Sequence, residues 1–311
     1  KLTGGPDGDV AGNMIRILHR DYGERAKIVG IADGSGSAED PAGLQHKELI
    51  RLFNQSRPIA DFDKSVLGPA GRVTTIDEPN GFVLRNSLHN RMRSDAFVPC
   101  GGRPATIHAN NWKEYLTPNN EPSSPIIIEG ANLFLTPKAR KKLSEHGVLI
   151  FKDSSANKCG VICSSFEIIA SMLLDEKTFL EIKDVFVKEV LSILRSLAES
   201  EATLLARLGR DRKNIPLPDL SIELSQVMMR TADAIYEALP TLSDEEKKQL
   251  DRLAKEHIPP ILLEKAGDKL TSSLPKSYLD WMVVKSLAAK IIYREGIGYL
   301  EQAIRVYPEY V

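Results

Sequence analysis

The stretch Gly4-Gly5-Pro6-Asp7-Gly8-Asp9-Val10-Ala11-Gly12 decides how this chain is read. Before it, Lys1 to Thr3 reads as the end of a strand; after it, Asn13 to Tyr22 reads as a helix with Met14, Ile15, Ile17 and Leu18 turned inward. A strand that reverses through glycines into a helix leaves the first helical N–H groups aimed at open space. Glycine permits the turn and the close approach of an anion, and the helix dipole favours negative charge there. Gly5 to Ala11 follows the pyrophosphate-binding pattern with one extra residue between its first two small positions, although an ordinary glycine-rich turn has the same composition. Three residues precede the turn, where a first strand normally has roughly five or six, so the chain is expected to be a piece of a longer protein.

The residues that follow keep an α/β rhythm. Ala26 to Ala32 is a β-branched run bounded by Gly23 and by Asp33-Gly34, and it predicts a buried strand. Asp33 closes that strand at about the spacing of the carboxylate that bonds adenosine-ribose hydroxyls; the other reading is a solvated turn aspartate. A carboxylate there repels a 2′-phosphate, which favours NAD over NADP. Asp33 to Gly43 reads as loop and Leu44 to Asn54 as helix, while Ser56 to Arg85 carries several Gly and Pro and yields no assignment. Asp95 to Pro99, Ile126 to Glu129 and Val148 to Phe151 read as strands, and Thr136 to His146 as a helix with Pro137 in its first turn. Strands separated by helices imply a mostly parallel sheet with helices on both faces, a Rossmann-type domain over residues 1–170.

Ligands of such sheets bind outside the carboxyl ends of the strands. Those ends are Pro99-Cys100-Gly101-Gly102, Glu129-Gly130-Ala131-Asn132 and Asp153-Ser154-Ser155-Ala156-Asn157. All are small, polar and turn-forming. Ordinary βα-turn chemistry explains one such loop easily and all of them less easily.

Residues 171–311 read as an all-helical region. Thr178 to Leu208 is one long amphipathic pattern with Phe179, Ile182, Phe186, Val190, Ile193 and Leu197 at helical spacing, broken by Pro216 and Pro218. Leu220 to Leu239 follows as a helix; Ser243-Asp244-Glu245-Glu246 is a capping box opening a helix to about His257; Ser277 to Glu295 ends at Gly296. The apolar faces of these helices suit packing on the sheet and on one another, or docking of partner subunits.

Composition narrows the function. Of 311 residues, 41 are Lys or Arg and 42 are Asp or Glu, so the net charge is −1, which offers no support for nucleic acid or an anionic membrane as partner. No run reaches the ~18 apolar residues of a membrane span. The three cysteines Cys100, Cys159 and Cys163 lack disulfide-framework spacing and fit a reducing, cytoplasmic setting. Cys159 and Cys163 lie four apart and read as buried small residues on one helix face. The six histidines are scattered without metal-ligand spacing, so no metal site is expected.

At these motifs the sequence resembles the glutamate dehydrogenase family. Ile128-Glu129-Gly130-Ala131-Asn132 with Thr136-Pro137 resembles its EGAN…TP segment, and Asp95 to Pro99 its DIFIP strand. Gly147 to Asp153 followed by Ser155-Ala156-Asn157-Lys158-Cys159-Gly160-Val161 resembles its strand and LANAGGV, and Ser164-Ser165-Phe166-Glu167 resembles SYFE. Order and spacing agree from Gly5 to Glu167, about half the chain. The departures (Cys100-Gly101-Gly102-Arg103, Lys158-Cys159 and the lengthened glycine turn) resemble the large NAD-specific branch of the family.

The resemblance implies NAD as cofactor and oxidative deamination of L-glutamate to 2-oxoglutarate and ammonia. It carries Gly5, Gly8, Asp9 and Val10 to the pyrophosphate, Asp33 to the adenosine ribose, Cys100 and Gly101 to the loop beside the cofactor, Asn132 to the nicotinamide ribose and Asn157 to the nicotinamide amide. Ser164 matches a hydroxyl that contacts the glutamate side-chain carboxylate; a helix N-cap or a core hydroxyl is the other reading. The family's catalytic Lys and Asp lie in an N-terminal substrate domain that nothing here matches, so no catalytic residue is assigned. A homo-oligomer is expected of the full-length protein. Another amino acid as substrate, or a non-catalytic nucleotide-sensing module, are the alternatives.

Overall fold

The structure, a computed structural model, describes residues 1–299; the part of the expected helical region at 300–311 lies outside the described residues. By internal packing the chain divides into two compact units, Lys1–Asn157 with Pro216–Pro218, and the remainder from Lys158 onward. The boundary expected at residue 170 differs from this division by most of one helix.

The first unit is built on a seven-stranded sheet of order β4-β3-β2-β1-β5-β6-β7. Its strands are β1 (Leu2–Thr3), β2 (Gly30–Ala32), β3 (Gly36–Glu39), β4 (Arg72–Thr75), β5 (Ala96–Pro99), β6 (Ile126–Ile128) and β7 (Leu149–Phe151). Strand β1 pairs in parallel with β2 (Leu2↔Ile31) and with β5 (Leu2↔Val98), and β5-β6-β7 continue in parallel. The expected α/β architecture is therefore present. Two strands depart from expectation: Asp33–Gly43, read as loop, contains β3, which pairs antiparallel with both β2 and β4. The second strand is also shorter than predicted, because pairing begins only at Gly30.

Helices α1 (Asp9–Tyr22), α2 (His46–Asn54), α3 (Gly81–Arg91) and α4 (Pro137–Glu145) accompany the sheet. Ile15 of α1 is fully buried beside Leu2, Ile31, Leu49 and Leu52, with Met14 and Leu18 packed against the same core; Ile17, expected inward, is exposed. A second core joins Phe97, Ile107, Tyr115, Ile127, Phe134, Leu143 and Ile150. Thr136 caps α4 by accepting the N–H of Ala139, with Pro137 in the first turn as predicted.

After the single turn α5 (Asp153–Ala156), the second unit is helical: α6 (Lys158–Leu173), α7 (Glu176–Asp211), α8 (Leu217–Ala238), α9 (Asp244–His257), α10 (Pro260–Ala266), α11 (Leu270–Ser273) and α12 (Lys276–Glu295). Phe186 and Val190 of α7 pack with Phe166, Ile169 and Leu173 of α6 and with Leu262. Another core joins Ala232 and Ile235 of α8 to Val284, Leu287 and Ile291 of α12. The capping box at Ser243 and Glu246 forms, and α12 closes on Gly296 at φ +90. No helix among the described residues is long and apolar enough to cross a membrane.

Candidate dinucleotide-binding site

Parallel pairing brings the carboxyl ends of β2, β1, β5, β6 and β7 to one edge of the sheet in that order. Gly4, after β1, donates its N–H to Ala32 O at 2.8 Å and adopts φ +93, a backbone region that favours glycine. A Cβ on Gly5 would stand 2.3 Å from Asp33 Oδ2 and 2.4 Å from Asp7 Oδ1, so only glycine fits between these carboxylates. Gly8 closes the turn onto Gly5 O at 3.0 Å and then serves as N-cap of α1, with no side chain filling the capping position. The N–H groups of Asp9 and Val10 thus lie in the first turn of a 14-residue helix, where no intrahelical acceptor exists. Both residues are exposed. An uncapped, glycine-lined helix start is the arrangement a pyrophosphate needs.

Asp33 sits beside this turn, half-buried at the end of β2. Its Oδ1 accepts the N–H of Ser35 at 2.7 Å and of Gly36 at 3.2 Å, and the Ser35 hydroxyl at 2.6 Å; Oδ2 accepts the N–H of Ile59 at 2.7 Å. The carboxylate therefore builds the β2–β3 turn and secures a distant loop. Oδ1 is fully used by three donors, whereas Oδ2 has one and keeps a lone pair for a ribose hydroxyl.

The loop after β5 lies against the glycine turn. The N–H of Cys100 bonds Thr3 O at 2.9 Å, and the Thr3 hydroxyl donates to Gly101 O at 2.6 Å. The Cys100 side chain belongs to the core, and burial pushes its thiol up to about 12, so it stays protonated at neutral pH. Gly101 is what the chain presents there: a Cβ on it would stand 3.1 Å from Gly4 Cα.

Next along the edge, Ala131 N–H bonds Pro99 O at 2.7 Å, which folds Gly130-Ala131-Asn132 back over β5. A Cβ on Gly130 would lie 3.4 Å from Val10 Cγ1, so the start of α1 and this loop lie in contact beside the carboxyl ends of β1 and β5. Asn157 donates from Nδ2 to Asn132 Oδ1 at 2.6 Å, joining the ends of β6 and β7. The structure thus gathers Gly5, Gly8, Asp9, Val10, Asp33, Cys100, Gly101, Asn132 and Asn157 along one edge.

Ser164 lies elsewhere, on α6 in the helical unit, exposed, with its hydroxyl donating to Gly160 O at 3.2 Å. It is neither an N-cap nor a core hydroxyl. Cys159 and Cys163 are half-buried on the same helix rather than fully buried.

Sequence reasoning missed a buried charge cluster behind the Asn132 loop. Arg140 of α4 bonds Glu129 through Nε–Oε2 at 2.6 Å and Nη2–Oε1 at 3.0 Å, and reaches Asp153 Oδ2 at 3.1 Å. Their side chains are 5%, 0% and 7% exposed, which removes all three from water. A signal existed: Arg140 lies three residues before Leu143, on the inward face of α4. Among the described residues, no group of three or more His, Cys, Asp or Glu gathers to hold a metal ion.

The fold and the glycine-lined sheet edge define an α/β protein of Rossmann type. The model of the Glutamate/Leucine/Phenylalanine/Valine dehydrogenase family matches residues 2–207, and the chain belongs to that family. It is 34% identical over 319 residues to a probable NAD-specific glutamate dehydrogenase of Schizosaccharomyces pombe, covering 95% of this chain and 28% of that protein. It is also 34% identical over 330 residues to glutamate dehydrogenase 2 of Dictyostelium discoideum, covering 99% of this chain and 31% of that protein. The NAD-specific glutamate dehydrogenase of Saccharomyces cerevisiae is again 34% identical, over 95% of this chain and 29% of its own length. The chain spans less than a third of the length of these relatives.

Proposed function

We propose that this chain is the cofactor-binding portion of an NAD-dependent glutamate dehydrogenase, which oxidises L-glutamate to 2-oxoglutarate and ammonia. The observation that carries the reading is the single sheet edge shared by an uncapped α1, the Asp33 carboxylate beside Gly5, and the bonded pair Asn132–Asn157. These residues fit a dinucleotide: glycines leave the space that a Cβ would fill, and the open helix start supplies donors for a pyrophosphate. Bound NAD would supply the hydride acceptor. Gly5 and Gly8 would leave room for the pyrophosphate and the N–H groups of Asp9 and Val10 would hold it; Asp33 would hold the adenosine ribose, and Asn132 and Asn157 the nicotinamide ribose and amide. Ser164 would donate to the glutamate side-chain carboxylate after releasing Gly160 O, a hydroxyl rotation. General acid–base groups would come from a substrate domain outside this chain. The full-length protein is expected to be cytoplasmic and homo-oligomeric, with neither nucleic acid nor membrane as partner.

Fluorescence titration of the 311-residue chain with NADH and NADPH tests this. NADH is expected to bind at least about 10-fold more tightly, the carboxylate at Asp33 opposing a 2′-phosphate by about 1.4 kcal/mol or more. Glutamate added to this chain with NAD is expected to give no steady NADH production. Absence of NADH binding, or steady turnover by this chain alone, overturns the proposal.

A further inference from the structure

The loop between β6 and α4 is held in an unfavourable shape. Leu133, which follows Asn132, adopts φ +59, a left-handed conformation that a branched side chain disfavours, and its side chain is exposed. Its N–H bonds Asp153 Oδ2 at 2.9 Å, and the N–H of Leu135 bonds Glu129 Oε1 at 3.3 Å. Two carboxylates therefore fix the backbone on either side of Phe134, and both are oriented by the same guanidinium.

Asp153 also begins the turn that delivers Asn157, whose N–H bonds Asp153 O at 3.0 Å. The second oxygen of Asp153 accepts Lys152 Nζ at 2.7 Å and the Ser154 N–H at 2.8 Å. The cluster is thus neutral, with two carboxylates, a guanidinium and an ammonium. A buried ion cluster of this kind is often no more stabilising than apolar packing of the same volume. What it supplies here is direction. A planar fork spans Glu129 and Asp153 at fixed angles, and apolar side chains or a lysine cannot do that.

We propose that Arg140 is a positioning residue: through Glu129 and Asp153 it sets the two loops that bring Asn132 and Asn157 within hydrogen-bond distance, and so fixes where the nicotinamide end of a dinucleotide is held. Arg140 touches no ligand itself. The proposal rests on the dinucleotide reading given above. It predicts that binding at the other end of the crevice, at the glycine turn and Asp33, is independent of Arg140.

The test compares two probes on the 311-residue chain, NADH by fluorescence and ADP by calorimetry, for wild type, Arg140→Lys and Asp153→Asn; ADP carries the adenosine ribose and pyrophosphate but no nicotinamide-side ribose. Arg140→Lys keeps the charge and loses the fork; Asp153→Asn keeps Arg140 on Glu129 and disturbs the contacts to Leu133, Lys152 and Ser154 on the Asn157 side. Both variants are expected to weaken NADH about 10-fold while ADP stays within about 2-fold of wild type. If one variant fails to fold by circular dichroism, the other decides. NADH affinity equal to wild type overturns the assignment, and so does an equal loss for both probes, which marks a purely structural residue. If wild type binds neither probe, the dinucleotide reading itself falls and takes the proposal with it.

Discussion

The sheet unit and the helical unit each bury a glutamate among charged partners, and they do it differently. Glu129, at the end of β6, is fully buried and meets donors on both oxygens: two from Arg140 and the Leu135 N–H. Glu201 of α7 is 4% exposed and meets donors on one oxygen alone, the Lys158 ammonium and the Tyr293 hydroxyl at 2.6 Å. Its Oε1 is buried with no hydrogen-bond partner. A buried carboxylate ringed by donors is held in one orientation, because both oxygens are fixed by partners. A carboxylate with an idle oxygen has room to be replaced by an amide. The first suits a loop that must hold a fixed shape; the second joins helices and tolerates change.

The largest effect should come from breaking the closed cluster. In Glu129→Gln the new NH2 group must face Arg140 or the Leu135 N–H, whichever way the amide turns, and Arg140 keeps Asp153 as its one charged partner in the cluster. Removing one partner of a buried pair costs about 3–5 kcal/mol. The chain has two tryptophans, Trp112 in the sheet unit and Trp281 in the helical unit, so each unit has its own reporter. Urea unfolding followed by Trp112 in a Trp281→Phe background should show this loss. A loss under about 1 kcal/mol would mean that the ring of donors does not confer rigidity.

A second contrast concerns acid. Each unit holds a histidine whose ordinary value of 6.5 is lowered to about 4, chiefly by burial: His89, stacked on Phe97, and His257, beside Phe166. Unfolding frees both to bind a proton at their ordinary value, so the unfolded chain takes up protons between about 6.5 and 4. The stability each neutral ring supplies is therefore complete above pH 6.5 and lost as pH falls toward 4. For His89, which is almost wholly buried, the loss at pH 5 is about 2 kcal/mol. His257 is partly exposed, and its slope should be shallower. Urea midpoints at pH 7 and pH 5, read at each tryptophan, check this. His89→Phe should flatten the Trp112 response and leave the Trp281 response alone; an unchanged Trp112 slope would refute the assignment.

Legibility in the sequence follows the same line between local and distant causes. The glycine turn, Asp33, the β5, β6 and β7 runs, the Ser243 capping box and the Gly296 terminus are local patterns, and the structure has each of them. Strand β3 was hidden because Gly36-Ser37-Ala38-Glu39 has no β-branched run. It is a strand because the Asp33 carboxylate turns the chain and β4 pairs with it, both tertiary facts. Arg140 was hidden in Pro137-Lys138-Ala139-Arg140-Lys141-Lys142, a composition that reads as a solvated face; Lys138 and Lys141 are indeed exposed, Lys142 pairs with Glu145 of the same helix, and Arg140 reaches buried carboxylates from two different strand ends. Candidate site residues were legible where backbone chemistry dictates them and illegible where a side chain acts across the fold.

The smallest expected effect is the matching substitution in the open cluster. In Glu201→Gln the amide can place its NH2 on the side where Oε1 has no partner and keep its oxygen toward Lys158 and Tyr293, so no donor meets a donor. What is lost is the charge opposite Lys158. That side chain is 27% exposed, and both Lys158 and Tyr293 border a cleft of about 880 Å3, so water can replace part of the lost interaction. The cost should be about 1–2 kcal/mol by Trp281 unfolding in a Trp112→Phe background. The double variant Lys158→Met/Glu201→Leu should recover most of that loss, since apolar replacement of a whole buried pair is often neutral. The comparison fails if Glu201→Gln costs as much as Glu129→Gln: an idle oxygen would then confer no tolerance, and the difference between the two clusters would be one of location rather than of hydrogen-bond geometry.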